Sequence, residues 1–233
     1  GGLHGFSLSE EGIRSPRDLQ TLWQADDAGG IRLSGNKGWV PLPEHCEAYF
    51  VVCRASGQDG ALSVMRMPAT ADGVSMSPRN PAAFMPELPA ARMQLQDVVL
   101  DASAMLPGDG WTDYARPFGV LEELYVSVAL MGYLLREGRA RDWPQAMLRQ
   151  MLAAITLLER IAAEVESDQG LVLLAGATEW VRTLMTRATA QWAEQPEDAG
   201  GQRWARDQTV QRMWAAAGAR RGDRAWQALS PSA

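Results

Sequence analysis

Hydrophobic and polar positions follow two different periods along the chain, and the change falls near residue 115. From residue 30 to about residue 100, short runs of β-branched and aromatic residues alternate with Gly, Pro and Asp. Short strands separated by such turn residues are typical of antiparallel sheets, built as a sandwich or a barrel. Residues 1–115 are therefore predicted to form a small antiparallel β domain.

The turn residues also predict where the strands of this domain end. Two polar, glycine-containing segments are predicted turns, and a proline-rich stretch is a predicted loop. These connections are Ser34–Gly38, Ser56–Gly60 and Pro78–Pro89.

After residue 119 the apolar residues recur at every third or fourth position, as on one face of a helix. Stripes of this kind begin near Met147, Leu174 and Trp204, and the more uniformly apolar stretch Leu121–Leu135 predicts a central helix. Pro144 suits the first turn of the helix that carries Met147. Residues 116–233 are therefore predicted to form an up-down bundle of about four helices, which makes the fold class α+β.

Length, charge and cysteine content bear on whether the protein spans a membrane, binds nucleic acid or is held together by disulfides. The 233 residues suit one large domain or two modest ones, and no apolar run reaches the length of a membrane span. With 22 basic against 28 acidic side chains, a nucleic-acid partner is not expected. Two cysteines are too few for a disulfide framework and favour a cytoplasmic protein. No secretory signal is visible at the start of the sequence. Because the sequence opens on Gly instead of an initiator Met, we expect upstream sequence to be missing.

Several familiar catalytic patterns are absent from the sequence. It contains no dinucleotide fingerprint, phosphate loop or nucleophile elbow. The segment Glu44–Glu47 holds metal-ligand residue types, but neighbouring side chains there alternate in direction, so no metal site is predicted.

One local pattern suits an anion. Ser15 is a good N-cap and Pro16 suits the first helical position, which predicts a short helix over Pro16–Trp23. Free N–H groups at such a start favour a pyrophosphate. An ordinary capped surface helix is the alternative.

The order and spacing of several motifs resemble the acyl-CoA dehydrogenase family. The family's T-E-P-G-x-G-S-D segment is matched by Ser9, Glu10, Gly12 and Ser15, and its L-x-G-x-K-x-W-I-T segment by Leu33, Gly35, Lys37 and Trp39. Further on, the matching segments are Met93–Leu106, Gly108–Trp111 and Arg206-Asp207.

This resemblance implies a β domain that covers one face of FAD. Ser9 would bond to the flavin ring, Ser15 would bind the pyrophosphate, and Trp39 would stack beside the isoalloxazine. Four departures weaken the implication. Pro41 replaces a flavin-bonding hydroxyl, Arg14 and Pro16 replace Gly and Asp near the phosphates, and no R-x-x-F-G segment follows the first helix. The family's N-terminal helical domain, which forms much of the acyl pocket, is also absent from this sequence.

The resemblance also identifies two places for a catalytic carboxylate, which takes the α-proton of an acyl thioester. Most family members carry it soon after the R-D pair, where this chain has Ala215. A minority carry it on the first helix, where Glu122 fits. Glu123 follows where those enzymes have Arg. The alternative to a catalytic role is that Glu122 and Glu123 are part of a solvated helix face.

Three hypotheses follow from these residues. The first is an FAD-dependent oxidoreductase that acts on an acyl-CoA type of molecule, with Glu122 as base and a separate electron-transfer partner. The second is a non-catalytic assembly or binding protein on the same fold, with FAD lost. The third is a flavin-dependent monooxygenase. The long apolar helices predict a homo-oligomer under each hypothesis.

Overall fold

The computed structural model describes residues 2–13, 15–57, 60–79, 85–195 and 197–229, and gives only the backbone of residues 211–214. The chain divides into two compact units, Gly1–Arg116 and Pro117–Ala233. The first unit contains the seven described strands, and the second contains the α-helical bundle.

The first unit is built on one sheet with the order β1-β4-β2-β3-β7-β6, and β5 pairs with the other side of β4. The strands are β1 (Leu3–Ser7), β2 (Leu22–Ala25), β3 (Ile31–Pro41), β4 (Cys46–Ala55), β5 (Leu62–Pro68), β6 (Val74–Pro78) and β7 (Ala90–Leu100).

The sheet is mixed, which corrects the prediction of a purely antiparallel domain. β1 and β2 both run parallel to β4, whereas the other pairs are antiparallel. The difference arises from the segment before residue 30, where the sequence pattern predicted no strands. Both strands of that segment pair with β4, and β2 also forms an antiparallel hairpin with β3.

The predicted turn Ser34–Gly38 is wrong, because β3 runs through it as one strand. β3 pairs with β7 along its length, and the register shifts between Leu33 and Gly35 and again between Lys37 and Val40. Such bulges let a strand absorb glycines and re-aim its side chains. The glycines therefore mark irregularities inside a strand, and one of them lies beside Trp39.

The predicted helix Pro16–Trp23 is also wrong. Only Pro16–Asp18 is helical, as a single 3-10 turn, and β2 begins at Leu22. Leu19 and Thr21, which lie between the turn and β2, are both fully buried. Burial of these side chains overrides the local preference for a capped helix.

The prediction of a hairpin around Ser56–Gly60 agrees with the antiparallel pairing of β4 and β5. Residues 58 and 59 of that turn lie outside the described residues, as do residues 80–84 of the predicted loop Pro78–Pro89. The core of this unit consists of apolar side chains from β3, β4, β5 and β7: Leu33, Val40, Tyr49, Val51, Met65, Met67, Met93 and Leu95.

The helical prediction for the second half is confirmed. The helices are α1 (Arg116–Ala140), α2 (Gln145–Ile161), α3 (Asp168–Ala193), α4 (Ala199–Asp207) and α5 (Arg212–Leu229). The predicted third stripe is divided, since a 3-10 turn at Gln208–Gln211 separates α4 from α5. The predicted apolar stripes of α2 and α3 supply most of the core of this unit, with Trp143, Trp192 and Trp204 at one end.

A π-helical turn, Gly110–Ala115, leads directly into α1. The combined stretch Gly110–Ala140 is long and apolar enough, by length and composition, to cross a membrane. The prediction that no such stretch exists was therefore too strict. Val120, Leu124, Met131 and Leu134 of α1 are buried in the helical core, although only 33% of the apolar 18-residue window is buried.

Candidate functional site

A buried ion pair joins the segment Ser9–Gly12 to β3. Lys37 is fully buried, and its Nζ donates to Glu10 Oε1 at 2.7 Å and to the carbonyl of Val52 at 2.6 Å. A third, longer bond of 3.4 Å reaches the carbonyl of Leu8. The ammonium group thus connects three segments of the first unit.

Glu10 is held just as firmly. Its carboxylate accepts bonds from the Thr21 hydroxyl at 2.6 Å, the Thr21 amide at 3.1 Å and the Gln20 amide at 2.6 Å. Burial alone raises the pKa of Glu10, but Lys37 and these donors outweigh it, so the pKa lies below its ordinary value. Burial lowers the pKa of Lys37, against the attraction of Glu10.

This pair places Ser9 next to Trp39. The amide of Gly38 donates to the carbonyl of Ser9 at 2.8 Å, so the two predicted ring contacts are brought together by adjacent backbone. Ser9 is exposed and Trp39 is half-buried. A Cβ at Gly38 would lie 2.9 Å from the Glu11 side chain, so glycine is what allows this close approach.

One face of the Trp39 indole is covered by Arg79. The guanidinium carbon lies 5.1 Å from the ring centroid, within the range of a cation–π contact. Arg79 also donates to Glu11 Oε1 at 3.0 Å and to the carbonyl of Gly38. Any planar ring that stacks on this indole must use its other face or displace Arg79.

The anion site predicted at Ser15 is not built as a helix N-terminus. The 3-10 turn has three residues, and Pro16 at its start has no N–H to offer. The Ser15 hydroxyl accepts a bond from the Arg17 amide at 3.2 Å. Arg14 lies outside the described residues. Ser15 can therefore offer an anion its hydroxyl proton, without the support of a helix.

The two carboxylates on α1 differ sharply in environment. Glu122 is exposed, whereas Glu123 is buried and forms an ion pair with Arg221 of α5. Burial raises the pKa of Glu123, and Arg221 and Arg182 only partly counter it. A Cβ at Gly218 would collide with the Glu123 carboxylate, so glycine makes room for it on α5.

The second position for a base offers no acid–base group. Ala215 is half-buried on α5, and an alanine side chain cannot take up a proton. Pro41 ends β3 at the place where the resembling family has a hydroxyl. In the described part of the chain, no three His, Cys, Asp or Glu side chains are grouped as metal ligands.

Sequence reasoning missed the charges that surround Trp39. Glu11, Arg79 and Arg92 are far apart along the chain, and Glu11 accepts from Arg92 Nε at 2.8 Å as well as from Arg79. One signal was present, since Glu11 stands where the family motif T-E-P-G has Pro. The pairing of Glu10 with Lys37 could also have been predicted, because both residues match the family motifs.

No protein-family model matches this chain, and no curated protein matches it significantly. Solved structures do match it over most of its length, and they include acyl-CoA dehydrogenases and a protein complexed with FMN. The chain therefore has the fold of the β domain and C-terminal helical region of acyl-CoA dehydrogenases, and at this fold level the resemblance is confirmed.

Three of these structures define the likeness. A probable acyl-CoA dehydrogenase from Mycobacterium abscessus has 13% identity and a TM-score of 0.74, over 96% of this chain and 68% of that one. An acyl-CoA dehydrogenase from Bacillus anthracis, complexed with FAD, has 15% identity and a TM-score of 0.71, over 91% and 44%. TdsC from Paenibacillus sp. A11-2, complexed with FMN and indole, has 15% identity and a TM-score of 0.72, over 97% and 70%.

Proposed function

We propose that this chain is the flavin-contacting part of an oxidoreductase related to the acyl-CoA dehydrogenases. The observation that carries the proposal is the buried pair of Glu10 and Lys37, which fixes the exposed Ser9 beside Trp39. A buried ion pair adds little to stability compared with apolar packing, and its best-attested use is to specify one arrangement. Here the arrangement specified is that of the proposed ring contacts.

The residues fit the two ends of a flavin unequally. At the ring end, Ser9 has a hydroxyl to donate and Trp39 has an aromatic surface. At the phosphate end, Ser15 offers a hydroxyl on a short turn without further amides from a helix. We therefore expect weaker retention of the dinucleotide than a full helix N-terminus would give, and FAD loss during purification is consistent with the proposal.

When bound, a flavin supplies a hydride acceptor for the Cβ of an acyl thioester. Ser9 and Trp39 would orient the ring, and Glu122 would hold the α-proton. An exposed carboxylate is an effective base only when a bound substrate excludes water around it. Glu122 therefore needs a covering group, which the acyl-CoA type of ligand would provide. Both the substrate and a cytoplasmic location belong to this proposal.

Titration of the purified full chain with FAD tests the proposal. We expect the flavin absorbance at about 450 nm to remain with the protein when unbound FAD is removed. The melting temperature should rise with FAD concentration, because a ligand that binds only the native state stabilises it. Trp39→Ala should remove most of this shift. Trp226→Ala, an exposed tryptophan on α5, is the matched control. A chain that gains neither colour nor stability from FAD or FMN contradicts the proposal.

The catalytic role of Glu122 needs a separate readout. Glu122→Gln should abolish bleaching of the bound flavin by acyl-CoA while the yellow colour remains. Glu159→Gln, an exposed glutamate on α2, is the matched control and should bleach normally. Bleaching that persists in Glu122→Gln rules out this residue as the base.

A non-catalytic binding or assembly protein is the second candidate. It is favoured by Arg79, which already occupies one face of Trp39, and by Ala215 at the other base position. The flavin titration separates the two candidates. A third, a flavin-dependent monooxygenase, needs no carboxylate base, and it would show flavin binding without bleaching by acyl-CoA.

A further inference from the structure

A polar cavity of about 480 Å³ lies beside the segment Ser9–Gly12. Glu10 and Lys37 form part of its wall, but the proposed flavin contacts Ser9, Ser15 and Trp39 do not line it. Its wall also includes Arg92 and Glu11 together with neutral hydrogen-bonding side chains from three strands and from the segment before β2. These neutral groups are Gln20, Asn36, Ser75, Ser77 and Gln94. Such a lining suits a ligand that carries both hydroxyl groups and a charge.

Two guanidinium groups converge at the edge of this cavity on one carboxylate oxygen. Glu11 Oε1 accepts from Arg92 Nε at 2.8 Å and from Arg79 at 3.0 Å. Arg79 is held in place from two further sides, by the Trp39 ring and the Gly38 carbonyl. The two arginines therefore form a fixed pair that binds one anionic group.

Glu11 is a replaceable partner for this pair. Its side chain is 56% exposed, and it precedes Gly12, which has a φ of +82° in a surface turn. The bonds from Arg92 and Arg79 keep the pKa of Glu11 below its ordinary value, so it remains an anion at neutral pH. Solvent screens an exposed ion pair of this kind, so an external anion can compete with Glu11.

We propose that Arg79 and Arg92 form an anion subsite for a hydroxylated phosphate monoester, and that Glu11 occupies this subsite when the ligand is absent. The phosphate would replace the Glu11 carboxylate between the two guanidiniums. The hydroxyl groups of the ligand would bond to Ser75, Ser77 and Gln94 in the cavity. This assignment goes beyond the proposed redox function, because it does not require a flavin ring.

Calorimetric titration of the full chain with ribose 5-phosphate, inorganic phosphate and ribose tests this subsite. We expect ribose 5-phosphate to bind more tightly than inorganic phosphate, and ribose not to bind. In Glu11→Gln the affinity should rise about tenfold, because a tethered competing anion is removed. In Arg92→Gln it should fall about tenfold or more, because the phosphate loses a guanidinium partner. Arg66→Gln, an exposed arginine on β5, is the matched control.

Circular dichroism would establish that each variant is folded, and Glu11→Ala provides a second test of the competition. The proposal is overturned when neither wild type nor Glu11→Gln binds ribose 5-phosphate, or when Arg92→Gln binds it as well as wild type. A parallel titration with FMN shows whether the phosphate group that binds this subsite is that of a flavin or that of another ligand. If Arg92→Gln weakens the binding of ribose 5-phosphate and of FMN equally, the subsite belongs to the flavin phosphate. FMN binding unaffected by this change assigns it to a separate ligand. These readouts need no colour change, so they can fail independently of the flavin proposal.

Discussion

Lys37 forms a buried ion pair in the first unit. Its side chain is fully buried, and Glu10 with 5% side-chain exposure is its only carboxylate partner in the described part of the chain. We expect Lys37→Met to lower the free energy of unfolding by about 3–5 kcal/mol, because it leaves a buried carboxylate without a cation. Urea denaturation measures this loss.

A matched control uses the partly buried pair of Arg32 and Asp26, whose nitrogen and oxygen lie 3.3 Å apart. Arg32→Gln should cost about 1 kcal/mol or less, because solvent reaches this pair and screens it. The double variant Lys37→Met with Glu10→Gln should recover part of the loss, since it removes the orphaned charge. A loss below about 1 kcal/mol in Lys37→Met would show that Glu10 is solvated after all.

At the residue scale, the sequence supplied the positions of the candidate site but not their environments. Ser9 and Trp39 were found through the motifs, and the structure joins them through Gly38. Glu122 was selected by spacing alone, and spacing cannot tell which of two adjacent carboxylates faces the core. That choice depends on Gly218 and Arg221, which lie almost a hundred residues further along the chain.

Two glycines of α3 provide a test at the element scale. A Cβ at Gly170 would run into the carbonyl oxygen of Glu164, whereas nothing among the described residues lies within 4 Å of a Cβ at Gly176. We expect Gly170→Ala to lower the melting temperature, because backbone must move. Gly176→Ala should raise stability by about 0.5–1 kcal/mol, because alanine restricts the unfolded chain. Thermal denaturation compares them, and equal effects would contradict this account of α3.

The start of α4 should make the stability of the second unit sensitive to acid. Asp198 caps α4 through the amides of Gly200 and Gly201, and it binds Arg141 at 2.9 Å. The Arg141 guanidinium and these amides lower the pKa of Asp198 from 3.8 to about 2. Because the unfolded chain takes up this proton first, the contribution is present above the ordinary pKa of 3.8 and is lost as the pH falls toward about 2.

Asp198→Asn isolates this contribution, since asparagine retains a capping oxygen but not the charge. We expect its stability to fall less steeply than that of wild type between the pKa of the unfolded aspartate and the native value of about 2. Urea denaturation over a pH series measures both profiles. Parallel profiles would show that Asp198 does not titrate in this range.

At the element scale, the sequence predicted helices better than strands. The stripes of α2 and α3 repeat over many turns, so they identify those helices without long-range information. The strands β1 and β2 are short and lie along β4, so pairing with distant residues decides their state. The same holds for Ser34–Gly38, where the glycines suggested a turn but β7 holds the segment as a strand.

For the whole molecule, exposed apolar side chains on the helices predict self-association. Tyr125 is 57% exposed, Leu152 is 55% exposed and Trp226 is 64% exposed. Exposed apolar side chains mark an interaction surface where they form one contiguous patch, whereas single scattered ones do not. We expect the full chain to form a concentration-dependent homo-oligomer, detected by sedimentation velocity.

Charge substitutions locate the surface involved. Tyr125→Glu or Trp226→Glu should shift the chain toward the monomer, because a carboxylate resists burial against another subunit. Leu3→Glu, which replaces an exposed residue of the first unit, is the matched control. A chain that is monomeric at every concentration would contradict the prediction of an oligomer.

Lys37 is the single lysine of the chain, and it is fully buried. An amine-selective acylating reagent therefore meets no lysine on the folded surface, and it reaches this side chain only when the first unit opens. The acylation rate, followed by peptide mass mapping, would report the opening equilibrium of that unit alone. Unfolding of the helical bundle would not expose Lys37, so the acylation rate follows the first unit without a contribution from the second.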